Sequence, residues 1–461
     1  MYKLHQRIVF IFMVFAISVQ GQSYPLPAIA DMSHSGRYLQ RTMHLLASST
    51  EEKKNTVKIL VYGQSISEQS WWLEVKRDII QRFPHANVIM ENKSIGGFSS
   101  SLLVKTVEMD VSSFYPDLVL FHVYGDHHNY ESIIKTIRGR TAAEVAIQTD
   151  HYNKQDNYSD KMAYEILPAF AQKYKCELID IRSNWKKYLE DNHYEPSKLL
   201  KDGVHLNDHG SFLMAELIKP YFQYKPEYQH DEFQLMTSYK VGTDVFLNAN
   251  TLSLSFTGNR VDVILADSRA FPSAEIFVDG VKPSSFQGTY FMTRPYKDNK
   301  KGWPWTLPAM IRVGHETAWK SEEWTCTFKE LTPPYNDFTF EIKGSKTGKD
   351  GHGKASEDFV SRSKRVIIKK GDANEGGDWH LNRSYQVVKA TVKKGDIVKW
   401  KTYSISVDLY KPTTNSNTST ENLTTLFQGI PNRAHVLMIK SSGKNLSIKE
   451  IRVYKPYLSE F

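Results

Sequence analysis

Short apolar runs alternate with longer amphipathic segments between about residues 57 and 222. The apolar runs predict five strands, at 57–62, 87–91, 117–123, 142–148 and 176–181. Segments with helical periodicity lie between them, the first in a helix expected to begin at Ser65 and to contain Trp71 and Trp72. Strands that alternate with helices indicate a parallel sheet covered on both faces.

The pattern changes after about residue 224, where alternating strands and turn residues replace the helical segments. Residues 252–265 alternate on both sides of Gly258-Asn259, which predicts a hairpin. Further strands are predicted at 274–280, 338–342, 365–368, 397–400 and 447–453. Two Gly-, Lys-, Ser- or Thr-rich stretches, 347–356 and 413–420, predict loops. This half therefore predicts an all-β region of sandwich or jelly-roll type, in one or two modules.

The N-terminus has the pattern of an export signal. Lys3 and Arg7 precede an apolar run at 8–17, and Val19-Gln20-Gly21 supplies small residues for cleavage. The run is too short to span a bilayer comfortably, and no second long run follows, so no membrane span is expected. We expect a secreted or periplasmic protein with a signal peptide at 1–21. After it come an N-terminal extension at 22–55, an α/β domain at 56–228 and the β region at 229–461.

Composition excludes some classes of protein. The chain has 461 residues, 40% of them hydrophobic, which is enough for two or three well-filled domains. Its net charge of +8 comes from Lys and Arg residues scattered among acidic ones, so a nucleic-acid partner is not expected. Cys176 and Cys326 lie in different predicted domains, and a disulfide between them would require the domains to touch at that point.

Three short motifs carry candidate chemistry. Gly63-Gln64-Ser65 follows the first predicted strand, at the sheet edge where open α/β folds place their sites. Asn92 to Gly97 follows the second strand, and Asp202-Gly203-Val204-His205 precedes the last helix of the α/β half. An acid and a histidine three residues apart can present both side chains to one site, and a serine would complete an acyl-transfer apparatus. Taken alone, Ser65 could equally be a helix N-cap.

Together these motifs resemble the SGNH (GDSL-like) hydrolase family over residues 56–222. The resemblance implies a flavodoxin-like, three-layer α/β domain that needs no cofactor. It also implies that Ser65 is the nucleophile, His205 the general base, Asp202 its orienting acid and Gly97 an oxyanion donor.

Two positions depart from the family pattern. Gln64 replaces the usual Asp before the serine, although Gly-Gln-Ser also occurs in family members that deacetylate carbohydrates. His127 stands where the family's third motif has an oxyanion-binding Asn, and Asn129 comes two residues later. Because losing one oxyanion donor costs about 10²–10³ in rate, either His127 or Asn129 supplies a replacement donor or the reaction differs from simple ester hydrolysis.

The leading expectation is an exported serine esterase that removes acyl groups, acetyl above all, from a polysaccharide or oligosaccharide. One alternative is glycosidic cleavage by carboxylates among Asp126, Glu131 and Asp202. Another is a sugar-binding protein with a lapsed hydrolase site. The histidines at 122, 127 and 128 are expected to line a pocket and to hold no metal. Candidate sugar-stacking residues are Trp303, Trp305, Trp319 and Trp324.

Overall fold

The computed structural model describes residues 24–28, 32, 35–228, 235–265, 272–297, 307–412, 421–443 and 446–459. The predicted signal peptide, Trp303, Trp305 and the predicted loop at 413–420 lie outside these ranges. The helices of the described chain are α1 Gln40–Ala47, α2 Ser65–Glu68, α3 Trp71–Arg82, α4 Ser100–Val107, α5 His127–Arg140, α6 Asn157–Lys161, α7 Leu167–Tyr174, α8 Ile181–Asp191, α9 Asp208–Ile218 and α10 Leu381–Val388.

The first five strands are β1 Thr56–Gly63, β2 Asn87–Asn92, β3 Leu118–His122, β4 Glu144–Gln148 and β5 Glu177–Ile179. They form one parallel sheet in the order β2-β1-β3-β4-β5. This arrangement confirms the predicted α/β fold with a parallel sheet. The strand order reverses beside β1, which places a crevice at the carboxyl ends of the strands on either side of it.

The central strands β1, β3 and β4 are buried on both faces, because helices cover both, whereas the edge strand β2 exposes Ile89 and Glu91. Ile59 and Val61 of β1 pack with residues of α1, α3, α8 and α9 on one side. Leu60 and Tyr62 pack with α4, α5 and α7 on the other. The near-continuous apolar runs in the sequence follow from this double coverage.

The prediction of a single helix that begins at Ser65 is wrong, because the segment forms two helices. Helix α2 ends at Glu68, and Gln69 is extended, with φ −66° and ψ 158°, before α3 begins at Trp71. The Gln69 side chain bonds to the backbone of Leu206 instead of pointing to solvent. Trp71 is buried in the core and Trp72 is half-buried.

The remaining strands are antiparallel, which confirms the predicted β-rich C-terminal region. They are β6 Met236–Lys240, β7 Leu247–Asn248, β8 Thr251–Leu265, β9 Ala274–Val278, β10 Tyr290–Met292, β11 Tyr296–Lys297, β12 Glu322–Leu331, β13 Phe338–Gly344, β14 Gly348–Lys354, β15 Phe359–Val360, β16 Ile367–Ile368, β17 Ile397–Ser404, β18 Leu409–Tyr410, β19 Leu423–Ser441 and β20 Ile448–Tyr454.

Two larger antiparallel sheets divide this region. One has the order β18-β9-β19-β8-β20-β6, and the other has the order β10-β17-β12-β13-β14. The second is built from residues 290–404, which we call the inserted unit because they lie in sequence between β9 and β18 of the first sheet. Each sheet packs around its own apolar cluster.

Two local predictions in the β region are wrong. Residues 251–265 form one long strand without a turn: a Cβ on Gly258 would lie 2.4 Å from the Tyr454 carbonyl oxygen, so this glycine permits close strand approach. Residues 348–354 form strand β14 instead of a loop. A Cβ on Gly353 would lie 2.6 Å from the Phe359 ring, so glycine there makes room for aromatic packing.

The described part of the N-terminal extension is tied to the parallel sheet. Glu177 of β5 accepts the Gly36 backbone N–H at 2.7 Å, and Glu144 of β4 accepts those of Arg41 and Thr42 at 2.8 Å. Within the described chain, no helix has the length and apolar character needed to cross a membrane. Cys176 and Cys326 are both buried and free, so no disulfide joins them.

Candidate active site

The sequence motifs converge at the carboxyl edge of the parallel sheet, around the end of β1. Gly63 ends β1 beside His122, the last residue of β3. A Cβ on Gly63 would lie 2.0 Å from the His122 carbonyl oxygen, so only glycine permits this approach. The chain turns directly into α2 and presents Ser65 above the edge of the sheet.

Ser65, His205 and Asp202 form a hydrogen-bonded chain. The Ser65 Oγ lies 3.0 Å from His205 Nε2, and His205 Nδ1 lies 2.9 Å from Asp202 Oδ2. Asp202 Oδ1 accepts the backbone N–H groups of Val204 at 2.8 Å and His205 at 2.7 Å. These bonds, that of the His205 backbone first, hold the pKa of Asp202 well below its ordinary value. Asp202 therefore remains a carboxylate beside His205 Nδ1.

Gln64 is buried beside the serine. Its Oε1 accepts the Ile66 backbone N–H at 3.1 Å and lies 2.8 Å from Ser65 Oγ. The serine hydroxyl thus has two acceptors within reach, Gln64 Oε1 and His205 Nε2. Since the hydroxyl has a single hydrogen, that hydrogen must point toward His205 Nε2 and away from Gln64 Oε1 for proton transfer to occur.

A clamp from the α2–α3 junction holds the segment that carries His205. Gln69 Nε2 donates to the Leu206 carbonyl at 2.8 Å, and Gln69 Oε1 accepts the Leu206 N–H at 3.0 Å. Both bonds come from one side chain that lies four residues after Ser65. They couple the position of the histidine to the helix that presents the serine.

The loop after β4 supports the same turn from the other side. His151 Nε2 bonds to the Val204 carbonyl at 2.9 Å, and Asn153 Nδ2 donates to the Gly203 carbonyl at 3.0 Å. Burial lowers the pKa of His151 to about 4, so the ring is neutral at pH 7 and Nε2 carries the hydrogen. Sequence reasoning missed Gln69, His151 and Asn153, whose spacing matches no local motif.

The turn at Gly96-Gly97 lies beside the serine. A Cβ on Gly96 would be 3.9 Å from the Ser65 Cβ and 2.5 Å from Glu68 Oε2. Gly97 has φ +79°, a left-handed conformation that favours glycine, and it is exposed. Ile95 anchors the turn through its backbone N–H, which donates to the Gly63 carbonyl at 2.9 Å.

His127 and Asn129 lie at the start of α5, after β3. Asp126 caps this helix: its Oδ1 accepts the Asn129 backbone N–H at 3.0 Å and Nδ2 at 3.2 Å. The Asn129 amide is therefore engaged with Asp126, while the His127 ring lies 4.1 Å from that of His128 and is half-buried. Ser100 fixes this loop by donating to the Asp126 carbonyl at 2.8 Å. In the part of the chain that the structure describes, neither His127 nor Asn129 is hydrogen-bonded to Ser65.

Two acidic candidates have other partners. Glu131 Oε1 accepts from Lys173 at 2.8 Å and from the Tyr174 hydroxyl, both on α7. Asp126, His127 and His128 place one ligand atom each within 4.8 Å of one another, although Asp126 Oδ1 already accepts two hydrogen bonds. The expectation that the site holds no metal stays a prediction.

Exposed aromatic side chains lie on the loops of this edge. Tyr124 follows β3 and is 45% exposed, and Tyr158 on α6 is 46% exposed, with its hydroxyl bonded to the Gly125 carbonyl at 2.8 Å. Trp324, by contrast, is buried and stacks on Trp400. Trp319 is half-buried, and its indole N–H donates to the Arg365 carbonyl. The described tryptophans thus offer less open ring surface than these two tyrosines, which the sequence analysis did not single out.

No protein-family profile and no curated protein matches the chain. Among solved structures, it is similar to a two-domain esterase active on acetylated mannans, at 15% identity over 92% of this chain and 96% of that one, with a TM-score of 0.36. An acetylxylan esterase from Geobacillus stearothermophilus matches 38% of this chain and 98% of its own, at 16% identity and a TM-score of 0.34. An α/β hydrolase from the metagenome of Lake Arreo, Spain, matches 36% of this chain and 95% of its own, at 18% identity and 0.33. Scores of this size leave the activity to be argued from the chain's own residues.

Proposed function

We propose that this chain is a serine esterase that removes acyl groups, acetyl above all, from a polysaccharide or oligosaccharide. The observation that carries the proposal is the chain of contacts from Ser65 Oγ through His205 to Asp202, at 3.0 Å and 2.9 Å. A serine hydroxyl is a weak nucleophile until an adjacent base takes its proton, and this geometry supplies the base.

The reaction proceeds by acyl transfer in two stages. His205 Nε2 takes the Ser65 proton as Oγ attacks the ester carbonyl, and Asp202 stabilises the imidazolium that forms. The tetrahedral intermediate collapses when His205 returns the proton to the sugar oxygen, which leaves as an alcohol. Water, deprotonated by His205, then attacks the acyl-serine and releases the carboxylic acid and free Ser65.

The negative charge of the tetrahedral intermediate requires hydrogen-bond donors. The Gly97 backbone N–H is the proposed first donor, because the Gly96-Gly97 turn lies against Ser65. His127 is the proposed replacement for the donor missing from the third motif. Asn129 is the weaker candidate, since its amide already bonds to Asp126.

Carbohydrate is the proposed substrate for two reasons. Tyr124 and Tyr158 expose rings at the edge that carries Ser65, and flat aromatic faces suit the apolar faces of sugar rings. The pattern of residues 1–21 supports export, which gives access to polymers outside the cell. We place the enzyme in the secreted or periplasmic compartment on that basis.

Glycosidic cleavage is less well supported. It needs two carboxylates on either side of the scissile bond. Glu131 accepts hydrogen bonds from Lys173 and Tyr174 on α7, and Asp126 accepts those that cap α5, so both carboxylates already have structural partners.

The test is intact-mass analysis after treatment with a fluorophosphonate. We expect one adduct on the native chain, none on Ser65→Ala and a retained adduct on Ser67→Ala, a buried serine two residues away. Acetylated oligosaccharides should then release acetate without new reducing ends. Retention of full acetate release by Ser65→Ala would refute the mechanism, and new reducing ends would favour glycosidic cleavage.

A further inference from the structure

We propose that Arg294 of the inserted unit is a positioning residue for the oxyanion-binding turn at Gly97. The inserted unit is then part of the framework of the active site and more than an appended module. This inference rests on the proposed esterase function and names a part of the molecule that controls it.

Arg294 reaches from the β10–β11 connection into the α/β domain and is buried there, 8% exposed. Its Nε donates to Asp110 Oδ1 at 2.5 Å and its Nη2 to Asp110 Oδ2 at 2.8 Å, which makes a two-pronged pair. Nη2 also donates to the Lys93 carbonyl at 2.5 Å. The planar guanidinium is suited to holding a carboxylate and a carbonyl at fixed angles at the same time.

Lys93 is the link between this pair and the turn. It directly follows β2, and its ammonium donates to the Asp110 carbonyl at 3.0 Å. Asn92, the preceding residue, donates from Nδ2 to the Ser67 carbonyl at 2.7 Å, which ties the segment to helix α2. The chain from Asn92 to Ile95 is thus fixed on one side by the helix of Ser65 and on the other by Arg294.

The inserted unit also contacts the far side of the turn. Phe98, directly after Gly97, is fully buried, and its ring centroid lies 5.0 Å from that of His380. Gly97 itself has nothing within 4 Å of the Cβ position that a side chain would take. The conformation of this open turn therefore depends on its two flanks, and the inserted unit contacts both of them, in addition to the anchor from Ile95 to Gly63.

The expected effect of losing Arg294 is a lower kcat with an unchanged KM. Oxyanion donors act on charge that develops only in the transition state, and displacements of about 1 Å cost up to about 10²-fold. Arg294→Met should lower kcat about 10- to 100-fold on acetylated oligosaccharides. A trifluoromethyl ketone inhibitor, which forms a tetrahedral adduct with the serine, should bind more weakly by a similar factor. A merely structural role would leave the ratio of inhibitor affinity to KM unchanged.

A second variant separates position from stability. Arg294→Met leaves the Asp110 carboxylate buried without its partner and so can unfold the chain. Asp110→Asn combined with Arg294→Met removes that charge, and the folded double variant should keep the kcat deficit. Arg294→Lys, which cannot hold both groups at once, should give an intermediate kcat.

Lys105→Met is the matched control. Lys105 on α4 donates to the Ala373 and Gly377 carbonyls at 3.2 Å, so it also joins the inserted unit to the α/β domain, through bonds that do not involve Lys93. Its kcat should stay within about twofold of the native value. A folded double variant with native kcat, or one with only a raised KM, would overturn the positioning role. Absence of a fluorophosphonate adduct on the native chain would instead overturn the esterase function on which it rests.

Discussion

Asp202 shows how a few bonds define the state of a single residue. Its carboxylate lies on the surface, yet it accepts two backbone N–H groups and faces His205 Nδ1 at 2.9 Å. Because the pKa of Asp202 in the folded chain is depressed, its carboxylate is charged at any pH above the ordinary aspartate pKa. The charge is lost only when the pH falls through the lower pKa of the folded chain. Lowering the pH from 7 to 5 therefore leaves Asp202 ionised.

Asp202→Asn should lower kcat by about 10⁴ and leave the fold intact. The amide can still accept the N–H bonds of Val204 and His205, but it cannot stabilise a positive His205 and can favour the wrong tautomer. The measurements are kcat on an acetylated oligosaccharide and the midpoint of thermal unfolding. A variant with native kcat would show that Asp202 has no part in the reaction.

The same scale shows what the sequence could predict of the site. Ser65, Asp202 and His205 were predictable as a group because two short motifs encode their local turns. Their supports were not, since each depends on a tertiary contact: Gln69 and Leu206 are 137 residues apart, and His151 and Val204 are 53 apart. No local pattern distinguishes such a glutamine or histidine from an ordinary surface residue.

At the scale of elements, apolar runs located the parallel strands well. Residues 117–123 were predicted and Leu118–His122 observed, because a central strand covered on both faces is apolar along almost its whole length. Predictions failed where a glycine served packing instead of a turn, at Gly258 and Gly353. They failed also at Gln69, where a tertiary bond interrupts the helical periodicity.

The Gln69 junction gives a prediction at this scale. Gln69→Ala removes both bonds to Leu206, and we expect kcat to fall about 10-fold because His205 loses its fixed distance to Ser65. Gln69→Glu can still accept the Leu206 N–H but cannot donate to its carbonyl, so its kcat should be intermediate. Steady-state kinetics on one soluble ester would decide, and equal kcat for all three proteins would contradict the clamp.

At the scale of the whole molecule, contacts between distant segments join the domains. Arg294 and Asp110 are 184 residues apart, and Asn259 of β8 accepts from the Tyr115 hydroxyl at 2.6 Å across 144 residues. The sequence predicted a β-rich region after the α/β domain, but neither end of such a contact is distinctive alone. The division of the β region into two sheets with separate cores depends in the same way on pairing between strands that are far apart in the sequence.

Stability should depend on pH through buried histidines. Burial lowers the pKa of His380 to about 4; the negative charge of Asp372 opposes this shift, and the positive charge of Arg383 adds to it. Because His380 binds a proton more readily in the unfolded chain, the free energy of unfolding decreases as the pH falls from about 6.5 to 4. At pH 5 this decrease is about 2 kcal/mol. His151 acts in the same direction and His122, whose pKa is raised, acts in the opposite one.

The difference between two proteins isolates the His380 contribution. The free energy of unfolding is measured with denaturant at pH 7 and pH 5 for the native chain and for His380→Phe. Its decrease from pH 7 to pH 5 should be smaller in the variant by about 2 kcal/mol. Identical falls in the two proteins would mean that His380 is protonated as readily in the folded chain as in the unfolded one.

The position of the inserted unit has a consequence for synthesis. Strand β8, Thr251–Leu265, pairs with β19 and β20, which follow the whole of residues 290–404. On the ribosome, β8 emerges long before either partner and offers an unpaired apolar edge, a template for aggregation. The nascent chain must therefore keep this strand from other chains until its C-terminal partners arrive, and a truncation before Leu423 would leave it exposed for good.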